Sequence, residues 1–290
     1  MRFVLPLVLL TLGMAAPDGR LPPPAVIWQG KGAAIETRPC PPGGDHDASC
    51  RSLWLRSDGM IRPLGAGYLS VEMLSDHGDG PGDPDLVILG NDGGSGGDGD
   101  LFAIRFGAMV TIDTVRGERF TAIRVTHAHD GLRVMLPFDI EYFNGAAHAG
   151  AVIVPLPVRW RAGRAAADVA AMTHTPTSAP DLFARETGVR RELAAWATDV
   201  GATLHLYPPA ARSGTGTTLH AMAELILSGH ADVARAMLHR AWSRRPGSTI
   251  ALGGEESFWR AICRAMVGQP LWQRFALDQL PHADLVARAA

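Results

Sequence analysis

The sequence has few lysines, cysteines and tyrosines. Lys31 is the only lysine, so arginine supplies 26 of the 27 basic residues. With 29 acidic residues the net charge is −2, which argues against nucleic acid as a partner, because binding a polyanion needs an excess of positive charge. At 47% hydrophobic and 19% charged residues, the composition is that of a folded globular protein.

Recognisable catalytic motifs are also scarce. There is no Ser-x-x-Lys sequence and no glycine-rich phosphate loop that carries a lysine. The glycine-rich stretch at residues 90–100 is acidic and precedes a strand-like segment, which favours a connection between strands over a nucleotide site. Asp139 and Glu141 alternate on one face of an extended segment. We interpret them as two solvated acids, and a catalytic carboxylate pair is the alternative. The sequence therefore supports no assigned enzymatic activity.

The only long apolar run begins the chain. Arg2 precedes the apolar residues 3–12, and residues 13–15 provide a cleavage region, which together are typical of a secretory signal peptide. We predict that residues 1–16 are a cleavable signal peptide, cut after Ala15. The alternative is an uncleaved anchor, although the run is short for ~30 Å of hydrocarbon. We expect a periplasmic or secreted protein with no integral membrane segment after cleavage.

Two of the three cysteines lie close together in the sequence. Cys40 and Cys50 flank a loop rich in proline, glycine and aspartate. In an oxidising compartment this spacing predicts a disulfide, which would contribute about 2–3 kcal/mol through loop closure. Cys263 falls within a helical pattern, and we predict that it is a buried free thiol.

The hydrophobic pattern changes along the chain. Its first half consists of short alternating segments separated by glycine and aspartate turns, which predicts antiparallel sheets arranged as a sandwich, a barrel or propeller-like blades. Its last part has helical periodicity. We therefore predict an α+β protein. Its predicted parts are a signal peptide (1–16), a β-rich domain (17–164), a linker (165–180) and an α-helical domain (181–290). The predicted strands are residues 25–28, 34–38, 52–56, 68–74, 86–89, 101–106, 109–115, 120–126, 132–136 and 151–154.

An acidic segment interrupts the predicted β domain. Residues 63–104 contain eight carboxylates and no lysine or arginine. Within it, residues 75–86 resemble the calcium loop of integrin-type FG-GAP repeats, with Asp79, Gly80 and Asp83 at matching positions. The resemblance implies a calcium ion held by carboxylate oxygens just before a strand, and a solvated Asp/Gly turn is the alternative. The candidate calcium ligands are Asp76, Asp79, Asp83 and Asp85.

Two histidines stand two residues apart near a strand end. His127 and His129 resemble the first part of the His-x-His-x-Asp-His motif of metallo-β-lactamase-type hydrolases, although Asp130 stands one residue too early for that motif. On a strand, this spacing places both imidazoles on one face. His148 is the nearest further candidate ligand. A zinc site at these histidines is one interpretation, and solvent-facing histidines at a strand end are the other.

The C-terminal part contains a predicted helical hairpin. Residues 218–246 resemble half of a tetratricopeptide repeat, which implies a groove for a partner. The matching residues are Gly229, Ala234, Leu238, Ala241 and Pro246. The sequence contains one such unit, and repeat arrays need several, so a plain α-hairpin is the alternative.

The general layout is similar to uncharacterised exported proteins of Gram-negative bacteria, a resemblance that implies no activity. We expect an exported soluble protein that binds a protein or small-molecule partner, or supports an envelope assembly. We expect no cofactor, and a calcium ion in the acidic loop is the alternative. The alternatives are a metal-dependent hydrolase using His127 and His129, and a calcium-stabilised β module.

Overall fold

The computed structural model describes most of the chain after residue 23. The described residues are 24–40, 49–93, 97–117, 119–120, 123–141, 143, 151–173, 178–198, 216–243 and 254–290. The predicted signal peptide, His148 and Pro246 lie outside them.

The described strands form three antiparallel sheets, each built from four consecutive strands. The first sheet contains β1 (Ala25–Gly30), β2 (Ala33–Pro39), β3 (Arg51–Ser57) and β4 (Met60–Tyr68). The second contains β5 (Ser70–Ser75), β6 (Leu86–Asn91), β7 (Gly99–Arg105) and β8 (Thr111–Gly117). The third contains β9 (Arg124–Ala128), β10 (Gly131–Ile140), β11 (Val152–Arg161) and β12 (Arg164–Ala167). The sheets are open, with neighbouring strands in the chain paired side by side.

Helices follow the strands, so the α+β prediction is confirmed. They are α1 (Val169–Thr173), α2 (Ala179–Thr198), α3 (Thr217–Leu227), α4 (Ala231–Ser243), α5 (Glu255–Val267), α6 (Pro270–Arg274) and α7 (Ala283–Ala289), with a 3₁₀ turn at Leu277–Gln279. None of the described helices is long and apolar enough to span a membrane.

The helix α2 continues through Gly188, although a glycine often marks the end of a helix. A Cβ at Gly188 would lie 3.1 Å from Thr217 Cγ2, so the glycine lets the start of α3 approach closely. Farther along α2, Glu192 Oε2 accepts a hydrogen bond of 2.6 Å from the Thr218 backbone N–H and a second one from the Thr218 hydroxyl. The Glu192 side chain therefore satisfies donors at the first turn of α3, which has no side-chain cap of its own.

The chain divides into two compact units, Met1–Val71 and Glu72–Ala290. The first contains the β1–β4 sheet and the predicted disulfide between Cys40 and Cys50, which is confirmed with Cα atoms 5.5 Å apart. The second contains the third sheet, nearly all of the second sheet and every described helix. The sequence predicts a boundary near residue 164 and a linker at 165–180. In the structure, β12 and α1 lie in that segment.

One apolar core runs through the second unit, from the sheets into the helices. Alternate residues of β10 and β11 are buried opposite each other, and α3 packs against β11. Each fully buried aliphatic side chain stabilises the fold by roughly 1.5–3 kcal/mol. Core residues from these three elements are Val134, Leu136, Phe138, Val154, Leu156, Val158, Leu219, Met222 and Ile226. Cys263 is free and buried in the same core, as predicted, and burial raises the pKa of its thiol to about 12.

Candidate functional site

The candidate site lies within the second unit, where the loop between β5 and β6 meets the hairpin of β9 and β10. The loop contributes His77 and Asp79, and β9 contributes His127. We refer to these three residues as the acid–histidine cluster. Among the described residues, this is the group of histidine, cysteine and acidic side chains whose donor atoms are placed to hold a metal ion.

The carboxylate of Asp83 bonds to backbone groups of both the loop and the hairpin. Asp83 Oδ2 accepts hydrogen bonds from the backbone N–H groups of Gly80 at 2.8 Å and Asp79 at 3.2 Å, inside its own loop. The same oxygen accepts a third bond, of 2.8 Å, from Leu132 on β10. Gly131 has a φ of +125°, and a Cβ there would lie 3.1 Å from Asp83 Oδ2. Asp83 thus holds the loop against the hairpin, and glycine at position 131 makes that approach possible.

The carboxylate of Asp79 contacts both imidazoles of the cluster. His127 Nδ1 is in hydrogen-bond contact with Asp79 Oδ2. His77 Nε2 lies 3.9 Å from the other oxygen, Asp79 Oδ1. The two imidazole rings are stacked, with centroids 4.5 Å apart and planes inclined by 15°. One donor atom from each of the three residues lies within 4.8 Å of the other two, and all three residues are exposed.

A fourth side chain, that of Asp76, favours the protonated form of His77. Asp76 Oδ1 lies 2.8 Å from His77 Nδ1. This hydrogen bond is the main reason why the pKa of His77 is raised above its ordinary value, and burial opposes the rise. The same contact lowers the pKa of Asp76. The surrounding segment has no nearby basic residue in sequence, so its carboxylates attract cations.

Two imidazoles and one carboxylate form a donor set suited to divalent transition metals such as zinc. In a tetrahedral zinc site, with bonds of about 2.0–2.1 Å, the donors lie roughly 3.3 Å apart. The separation of 3.9 Å between His77 Nε2 and Asp79 Oδ1 is therefore within reach of a small side-chain adjustment. Three protein ligands would leave at least one coordination position for water or another ligand.

The other predicted calcium ligands point to different partners. Asp85 Oδ2 accepts a 2.6 Å hydrogen bond from the Phe106 backbone N–H. Asp83 bonds to backbone groups as described above, and Asp76 pairs with His77. Of the four predicted carboxylates, only Asp79 belongs to the acid–histidine cluster.

The predicted zinc ligands are also separated. His127 lies on β9, but the strand ends at Ala128, and His129 falls in the turn before β10. The His129 side chain is 98% exposed, near Asp130 and outside the cluster. His148 lies outside the described residues. The structure therefore pairs His127 with His77, a histidine that the sequence suggested only as part of the calcium-like loop.

The partnership of His77 and His127 could not have been found from spacing, because they are far apart in sequence and come together only when the loop and the hairpin pack. A usable signal was the presence of histidines both within the acidic segment and at the end of a predicted strand. That signal identifies residue types suited to metal ions, but it does not pair them.

No protein-family model, curated protein or solved structure matches this chain. The resemblances to an FG-GAP calcium loop and to half of a tetratricopeptide repeat therefore stay predictions. Function has to be inferred from the geometry of the described residues.

Proposed function

We propose that this protein is an exported binding protein that holds a divalent transition-metal ion between His77, Asp79 and His127. The observation that carries the proposal is the position of the Asp79 carboxylate, which faces a different imidazole with each of its oxygens. A metal ion bound there would replace the contacts between these side chains with three coordinate bonds.

The donor set favours a transition metal over calcium. Calcium takes about 6–8 oxygen ligands, whereas two of the three donors here are imidazole nitrogens. Of the predicted calcium ligands, Asp83 and Asp85 each already use one carboxylate oxygen to accept backbone hydrogen bonds. The metal-dependent hydrolase alternative relies on His129, whose side chain lies outside the cluster.

The acid–histidine cluster contributes little to the stability of the fold. All three residues are exposed, and exposed ion pairs contribute little to stability, with typical values of about 0–1 kcal/mol. An exposed cluster also allows a metal ion to enter and leave without opening the core. These features support a binding role better than a role in holding the fold together.

Export is part of the same proposal. The predicted signal peptide supports it, and so does the Cys40–Cys50 disulfide, because disulfides persist mainly in oxidising compartments. The metal ion would then be bound in the periplasm or outside the cell.

The proposal is tested by titrating metal-free protein, purified without a histidine tag, with Co²⁺ and then displacing it with Zn²⁺. We expect one Co²⁺ per chain, with visible absorption bands that report nitrogen coordination. His77→Ala and His127→Ala should each weaken binding at least about tenfold, because each removes a ligand. His129→Ala is the matched control and should bind as the unchanged protein does, since it alters a histidine two residues from His127.

The pH dependence provides a second test. A histidine must lose its proton to bind a metal, and the pKa of His77 is raised, so affinity should increase as the pH rises through that value. Equal Co²⁺ binding by the unchanged protein and the His77→Ala/His127→Ala double variant would overturn the proposal. Calcium binding that both histidine variants retain would instead support the calcium-stabilised β module.

A further inference from the structure

The outward face of the third sheet carries a group of arginines. In the first half of β10 and along β11, buried residues alternate with residues that are partly or fully exposed. The register between neighbouring strands places these accessible residues on one face of the sheet. We call this surface the arginine face, because five arginines lie on it. They are Arg124 on β9, Arg133 on β10, Arg159 and Arg161 on β11, and Arg164 on β12.

Four of these arginines form two cross-strand pairs of like charge. Arg133 lies opposite Arg159, and Arg161 lies opposite Arg164 across the turn that joins β11 to β12. Residues directly opposite have Cβ atoms about 4.5–5.5 Å apart, and like charges in such a pair destabilise a sheet. From the spacing of strands and residues, the whole arginine face measures about 14 Å across and about 13 Å along. Five guanidinium groups are therefore concentrated in a small area.

Two aspartates neutralise part of this charge. Arg133 Nε donates a 2.9 Å hydrogen bond to Asp168, and Arg133 Nη2 donates another of 2.9 Å to Asp130. Arg159 Nη1 lies 3.8 Å from the same Asp130 carboxylate. The exposed arginines of this face with no hydrogen-bond or ion-pair partner among the described residues are Arg124, Arg161 and Arg164. The face thus has an excess of about three positive charges, in a chain whose net charge is −2.

Small residues surround the arginines at the turn between β11 and β12. Ala166 lies opposite Arg159, and residues 162–163 of the turn are alanine and glycine, both with positive φ. An anion can therefore approach the sheet between Arg159, Arg161 and Arg164 without displacing a large side chain.

We propose that the arginine face binds a diphosphate group, to which Arg159, Arg161 and Arg164 donate charge-assisted hydrogen bonds. A guanidinium matches two phosphate oxygens at once, so each arginine can donate a parallel pair of hydrogen bonds. A diphosphate carries roughly three negative charges near neutral pH, which matches the excess charge of the face. The large apolar side chains that are exposed in the described part of the chain lie elsewhere, which favours a compact polar anion over insertion into lipid.

The test is calorimetric titration of the metal-free protein with sodium pyrophosphate at pH 7 and low salt. We expect a dissociation constant on the order of 0.1 mM, since a small ligand on an open surface binds weakly. Arg161→Gln/Arg164→Gln should weaken binding at least about tenfold, because two sets of charge-assisted hydrogen bonds are lost. Arg62→Gln/Arg260→Gln removes the same charge from exposed arginines on β4 and α5. It is the matched control and should bind as the unchanged protein does.

Two more variants separate this site from other causes of lost binding. Ala166→Glu keeps every arginine and adds a carboxylate beside Arg159, so it should also weaken binding at least about tenfold. It decides the question if the double arginine variant fails to fold. His77→Ala/His127→Ala should bind pyrophosphate as the unchanged protein does, so failure of the proposed metal site and failure of this site are distinguishable.

A comparison with ADP identifies the source of the diphosphate. Equal affinity for ADP and pyrophosphate supports an organic diphosphate as the ligand, and affinity for ADP that is lower by about tenfold supports the free anion. Unchanged affinity in a folded Arg161→Gln/Arg164→Gln protein would overturn the proposal. An equal loss in both double arginine variants would do the same, because total charge alone would then govern binding. So would binding to phosphatidylglycerol vesicles without binding of pyrophosphate, since the face would then dock on an anionic membrane.

Discussion

Replacing Asp139 by asparagine is expected to change how the stability of the protein depends on pH. Asparagine has nearly the same shape as aspartate but cannot ionise. Burial raises the pKa of Asp139 from 3.8 to about 7 in the folded protein. Between those two values the folded state binds more protons than the unfolded state, so this group makes the free energy of unfolding fall as the pH rises.

The size of the effect follows from the same shift. The difference between 3.8 and about 7 is roughly three pKa units, and one unit corresponds to about 1.36 kcal/mol. Asp139 and Glu141 share one buried site beside Arg119, where the sequence suggested two solvated acids. Ionisation of this pair therefore destabilises the folded protein by on the order of 4 kcal/mol between pH 4 and pH 8. Asp139→Asn should be close to the unchanged protein in stability at pH 4 and more stable at pH 8. The gain at pH 8 will be smaller than 4 kcal/mol to the extent that Arg119 loses a charged partner.

The measurement is guanidinium-induced unfolding followed by tryptophan fluorescence at pH 4, 6 and 8. Other acids also titrate. The pKa values of Glu36 and Glu186 are lowered in the folded protein, so protonation of these residues decreases the free energy of unfolding as the pH falls. The informative quantity is therefore the difference between the two proteins at each pH, in which those contributions cancel. A difference that stays constant from pH 4 to pH 8 would refute the reasoning, since it would mean that Asp139 titrates as an exposed acid does.

Two further predictions concern side chains that hold elements in place. Asp83→Ala removes the acceptor of three backbone N–H groups, so it should weaken Co²⁺ binding about tenfold without removing a ligand; an unchanged cobalt titration would contradict this. Glu192→Ala leaves the first turn of α3 without its acceptor and should lower the free energy of unfolding by about 1–3 kcal/mol in chemical denaturation. The exposed Glu256→Ala on α5 is the control, and an equal effect of both substitutions would count against the capping role.

Much of the β structure could be predicted from local pattern. Central strands such as β6 and β7 have short apolar runs between glycine and aspartate turns, and their positions match the predictions to within about two residues. The strands β4 and β12 were not predicted as separate strands, and both lie at the edge of a sheet. β4 contains Pro63 and Gly65, and it pairs with β3 through two irregularities in register. An edge strand has a partner on one side only, so it tolerates proline and glycine. These residues interrupt the alternation of apolar and polar residues from which strands are predicted.

Gly65 also illustrates why sequence pattern alone is incomplete. A Cβ at this position would lie 1.9 Å from the Tyr68 hydroxyl oxygen, so the glycine makes room for a buried tyrosine three residues away. In the sequence the same glycine reads as a turn signal. Only the packed structure distinguishes a glycine needed for a turn from one needed for close packing.

The sequence by itself determined the features that depend on neighbours along the chain. These are the order of strands and then helices, and the disulfide between two cysteines ten residues apart. Tertiary structure alone decided which side chains meet and which charges are buried. His77 joined His127 because Asp83 holds a loop against a hairpin, and Asp139 acquired its raised pKa because the end of β10 is enclosed. Proximity and desolvation arise from packing between distant segments, which no local pattern encodes.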